Sequence, residues 1–148
     1  MLARTNVILM ADDDADDRLL AKDALAEARL EGEIHFVENG EELLDFLQRR
    51  GTYANSSVSP RPGLILLDLN MPKKDGREAL RVIKSDPDLK RIPVVVLTTS
   101  KADTDINGLY DLGANSFITK PFQFDALVKV MRVIGDYWFR AVELPGSR

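Results

Sequence analysis

Three short runs of unbroken apolar residues constrain this chain more than anything else in it. They are Val7-Ile8-Leu9-Met10-Ala11, Leu64-Ile65-Leu66-Leu67 and Val94-Val95-Val96-Leu97. A strand with one wet face alternates apolar and polar residues. A run that is apolar throughout suits a strand covered on both faces, as in a parallel sheet. Ile34 to Val37 and Ser116 to Thr119 read as weaker strands. Helical patterns fill the intervals. Leu20, Ala24, Leu25 and Ala28 share one face of a helix predicted from about Ala15 to Leu30. Leu43, Leu44 and Leu47 mark a second helix, and Leu80 with Ile83 a third after Gly76. Ile106, Leu109 and Tyr110 mark a fourth, ending near Gly113. Leu127, Val130, Met131 and Ile134 mark a fifth, running to about Arg140. Strand then helix, five times over, predicts an α/β, doubly wound parallel sheet with helices on both faces.

The 148 residues suit a single domain spanning 1–148. Its loosest stretch, about Arg49 to Gly63, holds Gly51, Asn55, Ser56, Ser57, Ser59, Pro60 and Pro62, and reads as an extended surface loop. A net charge of −4 disfavours a nucleic-acid partner, whose phosphates call for a basic patch. The absence of Cys excludes disulfides, thiolate metal sites and Cys nucleophiles, and a lone His35 cannot build a His-rich metal site. No apolar run approaches the roughly 18 residues of a membrane span, and the first one ends in a block of Asp, unlike a signal peptide. The expected location is cytoplasmic.

Ligands of open α/β sheets bind beyond the carboxyl ends of the strands, where the strand order reverses. There the first strand ends in Asp12, Asp13 and Asp14, the third in Asp68, the fourth in Thr98, and the fifth in Thr119 and Lys120. In strand order 2-1-3-4-5, the first and third strands are neighbours, so Asp12, Asp13 and Asp68 meet. Two carboxylates about 4 Å apart repel by about 4 kcal/mol at an effective dielectric near 20. Such a cluster calls for a cation, and oxygen-only ligands favour Mg²⁺ before Ca²⁺. A Thr hydroxyl and a Lys facing the metal complete a phosphoryl-transfer site. Asp14, Asp16 and Asp17 read instead as caps and dipole partners of the first helix.

The same residues resemble the response-regulator receiver domain of two-component signalling, over nearly the whole chain. The matching segments are Asp12-Asp13, Leu67-Asp68-Leu69-Asn70-Met71-Pro72-Lys73-Lys74-Asp75-Gly76, Pro93-Val94-Val95-Val96-Leu97-Thr98 and Phe117-Ile118-Thr119-Lys120-Pro121-Phe122. The resemblance implies a flavodoxin-like fold. It implies Asp68 as the phosphoacceptor, with Mg²⁺ held by Asp13, Asp68 and the carbonyl of Asn70, and by Asp12 largely through water. It further implies Thr98 and Lys120 as phosphoryl ligands, Phe117 as an aromatic switch and a cis Lys120–Pro121 peptide. The donor would be a phosphohistidine on a sensor histidine kinase, and His35 is not that group. Such a chain is a signalling phosphoacceptor rather than an enzyme with a separate substrate.

Phe117 replaces a more common Tyr of the family and so lacks a hydroxyl, and Thr99 stands where a small residue is usual. The long loop, Leu97-Thr98-Thr99-Ser100 and the tail Ile134-Gly135-Asp136-Tyr137-Trp138-Phe139 resemble single-domain regulators paired with phytochrome-type kinases. That subgroup tends to form dimers through the fourth and fifth helices and fifth strand. About eight residues follow Arg140, too few for a DNA-binding effector domain, so the expected output is partner binding, dimerisation or onward transfer. Trp138 and Phe139 either cap the core or anchor an interface, the second being favoured; truncation after Ile134 is then expected to weaken self-association. Three other readings stay open. A metal-dependent phosphohydrolase needs a second acid, and Asn70 stands where it is wanted. A flavin-phosphate carrier needs a first loop that welcomes phosphate, and Asp12 to Asp14 repel it. A pseudo-receiver would bind partners without phosphorylation.

Overall fold

A computed structural model describes residues 6–30, 32–55, 59–69, 71, 73–98 and 106–145. Five strands form one parallel sheet in the order β2-β1-β3-β4-β5. They are β1 (Val7–Ala11), β2 (Glu33–Val37), β3 (Leu64–Leu67), β4 (Val94–Thr98) and β5 (Ser116–Thr119). The helices are α1 (Ala15–Glu27), α2 (Gly40–Gln48), α3 (Gly76–Ser85), α4 (Ile106–Asp111) and α5 (Phe124–Asp136).

The continuous apolar runs become the three central strands, every residue of which is buried. Their side chains alternate between two cores. Leu9, Ile65, Leu67, Val94 and Val96 pack with α2 and α3, including Leu43, Leu80 and Ile83. Ile8, Met10, Leu64, Leu66, Val95 and Leu97 pack with α1 and α5, including Ala24, Leu25, Leu127 and Met131. Period-two alternation places successive residues on opposite faces, so both sides of each strand must be apolar. The edge strands β2 and β5 are half-exposed, and their sequences are correspondingly mixed.

Two helices, α1 and α5, and the 49–63 stretch depart from the sequence reading. Leu20 was expected on the buried face of α1 but is 43% exposed, beside Leu19. Ala21 and Ala24 take the inner face instead, and small residues let α1 sit close to the sheet. α1 stops at Glu27 rather than Leu30 because Arg29 turns left-handed (φ 59°) and Leu30 N–H donates back to the Leu25 carbonyl. α5 ends at Asp136, and its continuation Tyr137–Ala141 widens into a π turn closed by Val142 N–H on the Tyr137 carbonyl. The 49–63 stretch carries a short 3₁₀ turn, Gly51–Tyr53, and buries Ser59, whose hydroxyl donates to the Tyr53 carbonyl at 2.7 Å.

The loop after β3 leaves no room at the start of α3. A Cβ on Gly76 meets the Asp68 carbonyl oxygen at 2.6 Å and the Leu69 Cα at 2.7 Å. Asp75 caps the helix by accepting from the Glu78 amide. Glycine therefore brings α3 directly against the backbone that carries Asp68. Gly76→Ala is expected to cost about 1–3 kcal/mol through overpacking. Urea unfolding checks this, and an unchanged midpoint would mean the 68–69 backbone yields freely.

Candidate functional site

The carboxyl ends of β1, β3, β4 and β5 bring together Asp12, Asp13, Asp68, Thr98 and Lys120. Asp12 and Thr98 are fully buried, Lys120 and Asp68 nearly so, and Asp13 is exposed. Carboxylate oxygens of Asp12, Asp13 and Asp68 all lie within 4.8 Å of one another. The strand register sets this up. Ala11 pairs with Leu67 across β1 and β3, so the residues that follow them emerge side by side. Asp68 N–H also donates to the Ala11 carbonyl at 3.0 Å.

Each buried polar group is answered. Lys120 Nζ donates to Asp12 Oδ2 at 2.6 Å and to Asp17 Oδ2 at 3.3 Å. Thr98 Oγ1 donates to Asp68 Oδ1 at 2.9 Å. Asp12 Oδ1 accepts the Asp14 amide at 2.9 Å, and the Asp12 carbonyl accepts Arg18 Nη1 at 2.8 Å. Asp14 is the N-cap of α1, accepting the amides of Asp16 and Asp17, as its position predicts. Burial alone would lower the Lys120 pKa. The Asp12 hydrogen bond and the charges of Asp12, Asp68 and Asp17 outweigh it and raise the pKa above the ordinary 10.5. The stabilisation this gives is complete below 10.5 and is lost as pH climbs through the raised value.

Two contributors escaped the sequence reading. Asp17 belongs to the Lys120 cradle as well as to the first turn of α1, and Arg18 braces the Asp12 backbone while pairing with Glu38. Their position one turn after the Asp14 cap was the only signal, since that turn overhangs the strand ends. The Lys120–Pro121 peptide is trans, not cis as the resemblance implied. Lys120 reaches Asp12 from the trans form, which X–Pro bonds favour by about 0.5–1 kcal/mol. Asn70 and Thr99 lie outside the described residues.

The remaining expected residues sit elsewhere. Phe117 lies on β5, paired with Val96, and packs partly against the α2–α3 core. Trp138 and Phe139 are at the far end of α5, half-buried against the α1–α5 core, with Phe139 beside Gly63 at the opposite rim of the sheet. The large apolar residues left exposed on α5 and the π turn after it are Phe124, Val133 and Tyr137. His35 is on β2, in contact with Glu33 and with the ring of Phe46.

One ammonium faces four carboxylates here, three of them converging on a common point. An all-oxygen donor set of that shape fits a hard divalent cation; Mg²⁺ characteristically takes one or two carboxylates and keeps waters for a phosphate to displace. Asp12, Asp13 and Asp68 would hold it.

Comparison with known proteins agrees with this geometry. The profile of the response regulator receiver domain matches residues 8–132. Response regulator Rcp1 of Synechocystis sp. is 45% identical over 141 residues, covering 95% of this chain and 94% of that protein. The crystal structure of the phosphorylated cyanobacterial phytochrome response regulator RcpA is similar with a TM-score of 0.88 at 44% identity, covering 97% of this chain and all of that one. The Mn²⁺-bound form of Rcp1 has a TM-score of 0.84 at 44% identity, covering 95% of this chain and 99% of that one.

Removing one carboxylate separates repulsion from metal binding. Asp13→Asn is expected to melt at a higher temperature than the wild type without divalent cation, and to gain less from added Mg²⁺. A thermal-shift titration with MgCl₂ checks both. An equal Mg²⁺ response in the two proteins would remove Asp13 from the metal site.

Proposed function

We propose, from the premise that this chain belongs to the response regulator receiver family, that Asp68 is its phosphoacceptor and that a sensor histidine kinase of phytochrome type is its donor. The observation that carries the assignment is the Thr98 hydroxyl on Asp68 Oδ1, beside a lysine already charged and held by Asp12. The donor class is supported by the extent of the match to RcpA, a cyanobacterial phytochrome response regulator phosphorylated in its crystal structure. Such a partner presents its phosphohistidine in the cytoplasm.

The residues divide the work. A carboxylate oxygen of Asp68 attacks phosphorus in line; an O–P bond forms as the P–N bond to the donor imidazole breaks, and the imidazole keeps the electron pair. Lys120 is a fixed positive charge close enough to neutralise a phosphoryl oxygen, and its raised pKa keeps it protonated through physiological pH. Thr98 already donates toward the reacting oxygen, so it can pass its hydrogen bond to the phosphoryl group with a small movement. Mg²⁺, held by Asp12, Asp13 and Asp68 and, as the family resemblance implies, by the Asn70 carbonyl, supplies further charge neutralisation when bound. Hydrolysis reverses the state: water attacks phosphorus, the O–P bond breaks, and inorganic phosphate departs, restoring the Asp68 carboxylate.

Output by rearranged protein contacts is favoured over chemistry on a second substrate, because Asn70 stands two residues after Asp68 where a phosphohydrolase wants its second acid. A dimer through α4, β5 and α5 suits Val133 of α5 and Tyr137 of the π turn that continues it, which are 65% and 52% exposed. Trp138 and Phe139 are less suited to anchor it, being half-buried against the chain's own core.

Incubation with Mg²⁺ and acetyl phosphate is expected to add one phosphoryl group to the intact mass, and none without Mg²⁺ or in Asp68→Asn. Addition to Asp68→Asn at the wild-type level would move the acceptor elsewhere. For the dimer, Val133→Asp combined with Tyr137→Asp is expected to lower the mass seen by light scattering. A dimeric double variant would place the interface on another face.

A further inference from the structure

The residue expected to move on phosphorylation has lost its hydroxyl, yet a tyrosine hydroxyl still reaches it. β5 is an edge strand. Lys120 N–H donates inward to the Thr98 carbonyl of β4 at 2.6 Å. Amides alternate along a strand, so those of Ser116 and Ile118 share that inward side and the Phe117 amide faces the free edge. There it donates to the hydroxyl of Tyr110 at 3.2 Å. Tyr110 belongs to α4, a helix of six residues whose single buried side chain among the described residues is Leu109. Just beyond it the chain doubles back: Gly113 N–H donates to the Tyr110 carbonyl at 3.0 Å and Ala114 N–H to the Leu109 carbonyl at 3.1 Å.

A helix this short, with one buried anchor, gains little from its own cooperativity and depends on tertiary contacts for its position. Among the described residues, the Tyr110 hydroxyl joins it to the backbone of β5, at Phe117. The ring of Phe117 packs against the same core that holds Leu109. Phe117 therefore meets α4 through its amide at the edge, while its ring packs against the core that also holds Leu109.

We propose that Tyr110 is a latch that fixes α4 against β5 in the resting state and couples the position of α4 to the position of Phe117. This deepens the proposed function, in which Asp68 takes the phosphoryl group, and it rests on the switch role that the family resemblance implies for Phe117. The hydroxyl that the switch residue lacks is supplied by its neighbour, to the backbone rather than to a partner. A shift of the Phe117 backbone breaks the bond and frees α4; an intact bond holds the α4–β5 surface in one arrangement. Tyr110 touches no reacting atom and is a positioning residue.

The test compares the full-length wild type with Tyr110→Phe, which keeps the ring and removes the oxygen. Amide hydrogen exchange, read residue by residue by NMR on the unphosphorylated chains, is expected to speed up about fivefold at Phe117 in the variant, the scale of one net hydrogen bond. The α4 amides are expected to follow, with α5 unchanged. Equal exchange at Phe117 overturns the latch. So does a Phe117 amide that is unprotected in the wild type, an outcome that needs no variant to fold. Acetyl phosphate with Mg²⁺ then supplies the second arm, with intact mass reporting the phosphoryl level. Both chains are expected to be phosphorylated equally, with phosphorylation shifting the α4 resonances in the wild type and much less in Tyr110→Phe, where α4 is already released. An identical α4 response in the two chains overturns the coupling. If neither chain takes a phosphoryl group, the assignment of Asp68 fails, and the exchange comparison decides the latch by itself.

Discussion

The buried contact between Lys120 and Asp12 is the interaction on which the site depends. It joins the ends of β5 and β1, which no strand pairing connects, and it fixes the only ammonium among the described residues of this cluster. Taking two charges out of water is expensive, and a buried pair of this kind contributes little net stability. Removing one partner is another matter, because it leaves the other charge buried and unmatched, at a cost of about 3–5 kcal/mol. The pair therefore ties folding to the chemistry of the site. The fold brings the charges together, and the charges at the sheet's carboxyl end remain unbalanced until a cation arrives.

That imbalance explains the division of the molecule into a rigid floor and a reactive rim. Below the strand ends, two apolar cores hold the sheet from both sides, with Leu9, Leu64, Ile65, Leu66 and Leu67 among the residues shut off from solvent. Gly76 lets α3 press on the backbone of Asp68, and Arg18 holds the backbone of Asp12. The backbones of Asp68, the proposed acceptor, and of Asp12, a proposed metal ligand, are thus set by close packing and hydrogen bonding. In the groups expected to respond, the Thr98 hydroxyl donates to Asp68 and the Phe117 amide to the Tyr110 hydroxyl. Such an arrangement lets a small change at Asp68 travel to the α4–β5 surface without disturbing the sheet.

Much of this was legible in the sequence, for a physical reason. Strands buried on both faces must be apolar throughout, so Val7–Ala11, Leu64–Leu67 and Val94–Leu97 announced themselves, and the polar residues that close each run marked the rim. The strand order then followed from the fold that the receiver motifs resemble, and Asp12, Asp13, Asp68, Thr98 and Lys120 do converge. What stayed hidden depends on tertiary detail. Asp17 serves as a first-turn acid and as a lysine partner, and helix position alone reveals only the first. Leu20 has the spacing of a buried residue, but close packing at Ala21 and Ala24 turns it outward. The π turn after Asp136 carries Trp138 and Phe139 back onto the core, where the sequence favoured an interface. Tyr110 looked like an ordinary helix-face residue, and its bond to a β5 amide is visible only once both elements are in place.

The central claim is that the converging carboxylates form a cation site beside the acceptor. Anomalous diffraction from a crystal of this chain soaked in Mn²⁺ tests it most directly. The account predicts one strong peak bounded by carboxylate oxygens of Asp12, Asp13 and Asp68, absent from an identically soaked Asp68→Asn or Asp13→Asn crystal or much weakened there. A peak lying away from these three residues, or a full-strength peak in both variants, would contradict it.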